Sequence, residues 1–197
     1  VVDFDGDGFT EVVAANPTAD TSNNTSAGIV FITKTNSSGL TANVIALEGS
    51  SDNAHYGKGL AVRDFNADGF DDLAIGSPGE SIVEIYFGSQ SGLSNVSDQI
   101  LSGNSTDEFG SDLERLSDAD GDGDDELAVL SSNVTVILPG DDHTGQVSVY
   151  YGGQSLTFGR NITQTGIGPF FGRSIAGGGD LNGDGFGDLV ITNTGTQ

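Results

Sequence analysis

Short apolar runs alternate with polar, glycine-rich segments along the whole chain. Runs of β-branched and aromatic residues bounded by Gly, Ser, Asn and Pro are typical of strands, and the apolar positions do not recur at helical spacing. The segments that predict strands are 11–15, 28–33, 43–47, 56–62, 72–76, 82–87, 99–101, 126–130, 145–152 and 188–192. The pattern therefore predicts an all-β protein built from short strands and tight turns.

Four acidic loops of nine residues interrupt this pattern, at 3–11, 64–72, 118–126 and 180–188. Each loop has an oxygen-bearing side chain at its first, third, fifth and ninth positions and Gly at its sixth. Ca²⁺ prefers six to eight oxygen ligands, and alternate residues of a tight loop can all point toward one ion. Gly allows the sharp backbone turn between these ligands. The loops are therefore candidate calcium sites.

The loops recur at intervals of 61, 54 and 62 residues, which predicts a repeat architecture. The predicted units are residues 1–49, 50–101, 102–156 and 157–197, where the first lacks its initial strand and the last is partial. Aligning the third predicted strands places Val30, Val83 and Val147 on one face, and Ile32, Ile85 and Val149 on that same face. One sheet cannot cover such a face by itself, so consecutive units are expected to pack on each other as in a propeller.

The charge is strongly acidic, with 29 Asp and Glu against 6 Lys and Arg and a net charge of −23. Fourteen of the acidic side chains occupy ligand positions of the four loops, where a cation would relieve their repulsion. The alternative is an acidic surface that only increases solubility. Nucleic acid and anionic membrane surfaces are excluded as partners because no basic patch exists to neutralise phosphates, and no apolar stretch is long enough for direct membrane insertion.

The chain has no cysteine, so disulfides and thiol chemistry are excluded. It has seven Asn-X-Ser/Thr sequences, which predict an N-glycosylated, extracellular or cell-surface protein, although Ser- and Asn-rich loops also produce such triplets by chance. The candidate glycosylation sites are Asn23, Asn24, Asn36, Asn95, Asn104, Asn133 and Asn161.

The order of motifs resembles the FG-GAP repeat of the integrin α-subunit β-propeller. The motifs are Phe or Tyr before Gly, an apolar strand, the acidic loop, a Leu/Val-X-Ile/Val strand and Gly-X-Val-X-Val-Tyr. The resemblance implies four-stranded antiparallel sheets that form the blades of a seven-bladed propeller, with about 60 residues per blade. This chain would supply about three and a half blades. It also implies Ca²⁺ in the hairpin loop of each blade and a ligand on the opposite face.

Carried over by position, the resemblance implies a ligand set for each loop. The side-chain ligands are Asp3, Asp5, Asp7 and Glu11; Asp64, Asn66, Asp68 and Asp72; Asp118, Asp120, Asp122 and Glu126; and Asp180, Asn182, Asp184 and Asp188. The ligand at the seventh position of each loop would be a backbone carbonyl, that of Phe9, Phe70, Asp124 and Phe186. The expected cofactor is therefore Ca²⁺, about four ions.

This chain departs from the family pattern in three ways. Glu replaces Asp at the ninth position of the first and third loops, Leu130-Ser131-Ser132 stands where the motif has a Gly-X-Pro turn, and cysteine is absent, unlike in animal integrins. A seven-bladed ring needs about 420 residues, so the chain is expected to be a piece of a longer protein or to close its ring with other copies. Residues 17–27, 49–53, 102–108, 139–144 and 164–169 are expected on the face opposite the calcium loops, as contact surface or as solvated, glycan-bearing loops.

No catalytic residues are predicted, because the chain has only two histidines, no cysteine and no Gly-X-Ser-X-Gly elbow. The segment Asp141-Asp142-His143 is a weak candidate for a further metal site. The leading hypothesis is a non-catalytic adhesion or recognition module that binds a protein or glycan. The alternatives are a structural subunit of an extracellular array, assembled from copies through incomplete end blades, and a propeller attached to an enzyme outside these residues.

Overall fold

In a computed structural model, which describes residues 2–134, 144–163 and 171–193, all regular secondary structure of the described residues is β-strand. The strands are β1 (Glu11–Asn16), β2 (Ile29–Asn36), β3 (Gly39–Glu48), β4 (Leu60–Arg63), β5 (Asp72–Ser77), β6 (Ile82–Tyr86), β7 (Gln99–Ser102), β8 (Phe109–Leu116), β9 (Glu126–Val134), β10 (Thr144–Tyr151), β11 (Thr157–Ile162), β12 (Phe171–Gly179) and β13 (Asp188–Asn193). The predicted all-β fold class is confirmed.

The strands form four antiparallel sheets, each built from strands that are consecutive in sequence. The first sheet is β1-β2-β3, the second is β4-β5-β6-β7, the third is β8-β9-β10-β11, and the fourth is β12-β13 in the described residues. Sequence analysis assigns residues 157–162 to the last unit, whereas β11 pairs with β10 in the third sheet, for example through Ser148 and Asn161. The limits of the units and the number of blades in a complete ring stay predictions.

The hydrophobic core lies between successive sheets. Val30 and Ile32 of the first sheet pack in one cluster with Leu73 and Ile75 of the second. Val83 and Ile85 pack with Leu113, Leu127 and Val129 of the third sheet, and Val147 and Val149 pack with Ile175 of the fourth. All six aligned positions of the third strands are buried, as their register predicts. Each sheet is thus stabilised by the next, at about 1.5–3 kcal/mol for each fully buried aliphatic side chain.

The aromatic residue of each Phe/Tyr-Gly pair anchors the start of a sheet. Tyr56, Phe109 and Phe171 are all buried. Gly110 follows Phe109 with φ +88°, and a Cβ there would lie 2.8 Å from the carbonyl oxygen of Ile82 in the preceding sheet. A side chain at this position would therefore push the second and third sheets apart.

The connecting loops gather at two ends of the sheets. At one end, the backbone N–H groups of Ser89 and Gly153 donate to the carbonyls of Phe4 and Phe65, at 3.0 and 2.9 Å. The acidic loops lie at this end.

The opposite end brings together the segments that follow β3 and β7 with the connection between β1 and β2 and with the end of β9. The N–H of Asn53 donates to the carbonyl of Thr25 at 2.8 Å, and the N–H of Asn133 donates to that of Asp107 at 3.1 Å. Residues 139–143 and 164–169, including Asp141-Asp142-His143, lie outside the described residues. In the described part of the chain, no helix is long and apolar enough to span a membrane.

Candidate metal sites

The four acidic loops occupy equivalent places in the four sheets. The second, third and fourth loops are hairpin connections between β4 and β5, β8 and β9, and β12 and β13, and the first loop leads directly into β1. The second, third and fourth loops therefore begin close to where one strand ends, and all four loops place their ninth residue at the start of the next strand. Regular strands fix both ends of the second, third and fourth loops, and β1 fixes the second end of the first loop.

A repeated set of hydrogen bonds holds the loops in shape. The side-chain carboxylate at the fifth position accepts a bond from the backbone N–H of the seventh in every loop, at 2.8, 3.0, 2.9 and 3.0 Å. The carboxylate at the first position accepts a bond from the sixth-position glycine N–H in three loops, at 2.8–3.0 Å. In the third loop, Asp118 accepts instead from the N–H of Gly121 at 2.7 Å. Such side chain-to-backbone bonds are typical of Asx turns.

The backbone takes left-handed conformations at two positions of each loop. The sixth-position glycines have φ between +83° and +99°, as the sequence predicts. The fourth position is also left-handed in all four loops, with φ of +67°, +55°, +88° and +78°. It is Gly in three loops and Ala67 in the second. This second requirement was missed in sequence analysis, although the three fourth-position glycines could have revealed it.

The ninth-position carboxylates point inward and close the loops. Each accepts a bond from the backbone N–H of the second residue of its own loop: Glu11 from Phe4, Asp72 from Phe65, Glu126 from Ala119 and Asp188 from Leu181. Glu11, Asp72 and Glu126 are buried, and Asp188 is half-buried. The longer Glu arm therefore serves the same anchoring role as Asp.

Three buried carboxylate oxygens in these loops have no hydrogen-bond partner among the described residues. They are Oδ1 of Asp3, Oε1 of Glu11 and Oε1 of Glu126. A buried, unpaired carboxylate oxygen is costly unless a cation compensates it. In the described residues, Asp3, Asp5 and Glu11 bring one oxygen each to within 4.8 Å of one another, and so do Asp118, Asp120 and Asp122. This donor set fits a hard, oxygen-preferring cation such as Ca²⁺.

Burial raises the pKa of the ninth-position carboxyls in the metal-free chain. Desolvation raises the pKa of Asp72 and Glu126 to about 7 and also raises the pKa of Glu11. The neighbouring loop carboxylates raise these values further, and the backbone N–H bonds oppose the rise. Burial thus makes ionisation of these carboxyls less favourable than in water, and a positive charge in the loop would favour it.

Two basic side chains pair with acidic residues of the loops, and the pattern of apolar residues in the sequence did not predict either pair. Lys34 of β2 donates to the carboxylate of Asp5 in the first loop. Arg63, which precedes the second loop, donates to Asp125 of the third loop and so connects two sheets. Backbone bonds make similar connections, because the N–H of Asp71 donates to the carbonyl of Asp3 at 3.2 Å. Neighbouring loops are thus mechanically linked.

Among the described residues, only the first and third loops bring three acidic ligands within 4.8 Å of one another, without Asp7 and Glu126, and coordination itself stays a prediction for all four loops. This applies to the sixteen side chains and to the carbonyls of Phe9, Phe70, Asp124 and Phe186. The predicted glycosylation sites lie on the surface: Asn23, Asn36, Asn95, Asn104 and Asn161 are exposed, and Asn24 and Asn133 are half-buried. The amide nitrogens of the last two donate to the carbonyls of Ser50 and Thr106, both at 3.1 Å.

Comparison with known proteins agrees with this architecture. The family model for the FG-GAP repeat matches residues 1–32, 56–94 and 171–196, which include three of the four loops. Integrin alpha-6 of Homo sapiens is 33% identical over 148 residues, covering 69% of this chain and 12% of that protein. Integrin alpha-PS5 of Drosophila melanogaster is 37% identical over 142 residues, covering 64% of this chain and 14% of that protein.

A third similar protein is a phospholipase and not an integrin. Phosphatidylinositol-glycan-specific phospholipase D of Mus musculus is 39% identical over 95 residues, covering 43% of this chain and 11% of that protein. The chain thus spans between 11% and 14% of the length of these three relatives. The repeated loops, the antiparallel sheets packed in series and these matches together show that the chain is an FG-GAP repeat protein of the integrin α type.

Proposed function

We propose that the chain is a calcium-binding, extracellular recognition module that does not itself catalyse a reaction. The observation that carries the proposal is the set of buried, unpaired oxygens of Asp3, Glu11 and Glu126 in loops of repeated geometry. When bound, Ca²⁺ supplies positive charge that these carboxylates lack. The chain's own contribution is to preform the loops through their hydrogen bonds, so that little ordering is needed on binding.

About four Ca²⁺ ions are proposed, one for each loop. The hydrogen-bond pattern of the fifth and seventh positions is common to all four loops, which supports a common role. Because neighbouring loops are joined by bonds such as Asp71 N–H to Asp3 carbonyl, a bound ion would stiffen the junction between sheets as well as its own loop. A rigid junction would hold the opposite face in one shape.

Recognition of a protein or glycan is proposed for the face opposite the loops. A groove of about 390 Å³ lies there, with Pro17, His55, Lys58 and Pro78 in its lining. The side chain of Lys58 is exposed and unpaired within the described residues, on a chain that carries only six Lys and Arg. The integrin relatives and the exposed Asn-X-Ser/Thr sites support a place at the cell surface or outside the cell.

The second candidate is the non-catalytic part of a larger enzyme. It is favoured by the 39% identity to the mouse phospholipase D. The intact mass of the protein from its natural source, after removal of N-glycans, separates the candidates. A mass that requires a further large region, followed by hydrolase activity in that region, would favour the enzyme, and a protein without such activity would favour the recognition module.

Calcium binding is tested by titration calorimetry on the chelator-treated chain, with Mg²⁺ as the comparison ion. We expect about four Ca²⁺ per chain and a rise of the melting temperature on binding. The double variant Asp118→Asn with Asp122→Asn removes two ligands of one loop and should lose about one ion. Glu48→Gln is the matched control because Glu48 is an exposed acid outside the loops. Full retention of Ca²⁺ by the double variant would overturn the assignment of the third loop.

A further inference from the structure

A polar cleft of about 360 Å³ opens between the second and third sheets, away from the acidic loops. Its lining includes Gln146, Ser148, Tyr150, Phe158 and Asn161 of β10 and β11. We propose that this cleft binds a neutral sugar ring, a hexose or N-acetylhexosamine. The proposal rests on the recognition function above and specifies a ligand class for it, at a site that the calcium loops do not form.

The cleft exists because the third sheet differs from the second at equivalent positions. In the second sheet, the hydroxyls of Tyr56 and Tyr86 lie 2.9 Å apart, and both contact Oε2 of Glu84, at 3.0 and 2.7 Å. These three side chains fill the space and satisfy one another. The alignment of Val83 with Val147 makes Ser148 the counterpart of Glu84 and Tyr150 the counterpart of Tyr86.

In the third sheet the partners of this tyrosine are replaced. Phe109 stands in the place of Tyr56 and has no hydroxyl, and Ser148 is too short to reach as Glu84 does. Among the described residues, the Tyr150 hydroxyl therefore has no hydrogen-bond partner, although it lines the cleft. A polar group in a largely buried ring gains from a ligand that can bond to it.

Apolar positions of the second sheet have also become polar around the cleft. Ile82 corresponds to Gln146, and the strand register makes Ile100 the counterpart of Asn161. Ser148 donates to Oδ1 of Asn161 at 2.8 Å, which leaves the amide nitrogen of Asn161 available within the described residues. Amides and hydroxyls offer both donors and acceptors, which is what the hydroxyl groups of a sugar require.

An aromatic platform lies at the mouth of the cleft. Phe158 is 58% exposed, and its ring packs edge-to-face on Tyr150, with the ring centroids 5.8 Å apart. Tyr150 in turn packs on Phe109, with centroids 6.1 Å apart, so the exposed ring is held in place. An exposed ring beside hydrogen-bonding groups suits the C–H face of a pyranose, which is apolar while its rim is polar.

The charges favour a neutral ligand. The lining includes one acid, Asp107, whose two oxygens already accept bonds from Asn104 at 2.7 Å and Thr106 at 3.3 Å. No Lys or Arg occurs among the described residues that line the cleft, and the chain has a net charge of −23. An anionic sugar would therefore be repelled without any local compensation.

The sugar has two possible sources, because Asn104 and Asn161 line the cleft and are also predicted glycosylation sites. It can belong to a partner glycan, or to a glycan attached to this chain. The full chain made in bacteria, without glycans, is titrated in Ca²⁺ with a panel of neutral oligosaccharides ending in glucose, galactose, mannose or N-acetylglucosamine. The same chain made in glycosylating cells is titrated in parallel.

We expect at least one panel member to bind the bacterial protein. Phe158→Ala should weaken that binding at least tenfold, and Phe31→Ala is the matched control because Phe31 is an exposed ring, 42% accessible, on the first sheet. The double variant Phe109→Tyr with Ser148→Glu rebuilds the closed arrangement of the second sheet and should abolish binding with an unchanged or higher melting temperature. Binding by the bacterial protein alone would identify the chain's own glycan as the occupant, and equal binding by both preparations would identify a partner glycan.

Two results would overturn the proposal: no panel member binds the bacterial protein, or the Phe158→Ala and double variants bind as the unchanged chain does. Calcium binding is measured on the same samples. A chain that binds Ca²⁺ but no sugar would refute the cleft while leaving the calcium module intact. A chain that binds sugar but no Ca²⁺ would refute the calcium module alone.

Discussion

The first and third acidic loops have the same four side-chain ligand types, Asp, Asp, Asp and Glu, but different surroundings. In the first loop, Lys34 from β2 pairs with Asp5. The residue of β10 that aligns with Lys34 is Tyr151, which brings no charge to the third loop. The first loop therefore has a cation on one predicted ligand, whereas the cation that pairs with the third loop, Arg63, contacts Asp125, which is not a predicted ligand.

This difference shows that the sequence motif determines which side chains can bind the metal, but not how tightly the loop binds it. An ammonium group on Asp5 stabilises the metal-free first loop and must leave, or share the carboxylate, when Ca²⁺ binds. In the third loop, no ion pair of the described residues involves a predicted ligand, so Ca²⁺ would relieve repulsion between carboxylates without displacing a cation from one of them. We therefore expect the third loop to bind Ca²⁺ more tightly than the first.

Removal of Ca²⁺ is expected to have the largest effect. Each site saturated at about one hundred times its Kd adds about 2.7 kcal/mol to the free energy of unfolding, so even two of the four proposed sites would add about 5 kcal/mol. For a domain of this size, that loss corresponds to a fall of the melting temperature by roughly 10–20 °C. Calorimetry with and without EGTA measures it. An unchanged melt in a sample shown by elemental analysis to be free of metal would contradict a stabilising role for the loops.

Neutralising the ninth ligand should have opposite effects with and without Ca²⁺. Glu126 is buried with a raised pKa, so Glu126→Gln removes an unfavourable charge and should stabilise the metal-free chain at pH 7.5 by roughly 1–2 kcal/mol. The same change removes a ligand and should lower the melting temperature in Ca²⁺. Chemical denaturation in both conditions tests the two signs.

Glu11→Gln is the matched variant in the first loop. Burial raises the pKa of Glu11, and the N–H bond from Phe4 and the charge of Lys34 oppose the rise, so we expect a smaller gain in the metal-free chain than for Glu126→Gln. An equal gain in the two variants would show that Lys34 does not distinguish the loops.

Sequence analysis predicted the four loops and ten of the thirteen strands of the described residues, but not β8, β11 and β12, because the predicted features depend on local, repeated patterns. Gly at the sixth position and alternating apolar residues report backbone conformation and burial directly. Contacts between loops and distant strands left no such pattern, so the pairing of Lys34 with Asp5 and of Arg63 with Asp125 required the structure. The same is true of the cleft beside Tyr150, which depends on how Phe109 and Ser148 meet across two strands.

The stability of the metal-free chain should fall as the pH rises. This is the opposite of the trend produced by acids whose pKa is lowered on folding. The folded-state pKa of Asp72 and Glu126 is raised to about 7, so between about pH 4 and pH 7 the folded chain binds more protons than the unfolded chain. The stability that these groups contribute is complete below about pH 4 and is lost as the pH rises to about 7.

Melting temperatures from pH 5 to pH 8 test this trend in EGTA and in Ca²⁺. We expect a fall in EGTA and little or no fall in Ca²⁺, which keeps the carboxylates ionised. Asp5 behaves oppositely because its bond to Lys34 lowers its pKa, so its contribution appears above its ordinary pKa and is lost in acid. Glu126→Gln should flatten the fall more than Glu11→Gln. A melting temperature in EGTA that rises steadily over this range would contradict the raised values.

Replacing Lys34 tests the comparison most directly. Lys34→Met keeps the aliphatic length but removes the ammonium that pairs with Asp5, so the first loop should bind Ca²⁺ about tenfold more tightly. Amide NMR signals of Gly8 and Gly123 report the first and third loops separately during a Ca²⁺ titration. We expect only the Gly8 midpoint to shift. Lys58→Met is the control, because Lys58 lies at the opposite end of the sheets. An equal shift of the Gly8 midpoint in both variants would show that the effect comes from the net charge alone.

The smallest effects are expected from substitutions at the fourth position of the acidic loops. Gly6 and Gly121 have φ of +67° and +88°, and a Cβ at these positions would lie 3.0 and 2.9 Å from the rings of Phe70 and Phe186, each in the following loop. Gly6→Ala and Gly121→Ala should therefore each destabilise the chain by about 1 kcal/mol, and by similar amounts, since Lys34 is not involved.

Ala67 is the natural counterpart of these two variants. In the next acidic loop along the chain, the seventh position is Asp124 instead of Phe. The phenylalanine ring that leaves room only for Gly at positions 6 and 121 is therefore missing beside Ala67. Its φ of +55° still strains the backbone, and Ala67→Gly should change stability by at most about 1 kcal/mol, in the stabilising direction. Denaturant midpoints in Ca²⁺ measure all three variants. If Gly121→Ala were far more harmful than Gly6→Ala, the two loops would differ in backbone geometry as well as in charge, and Lys34 alone would not explain their contrast.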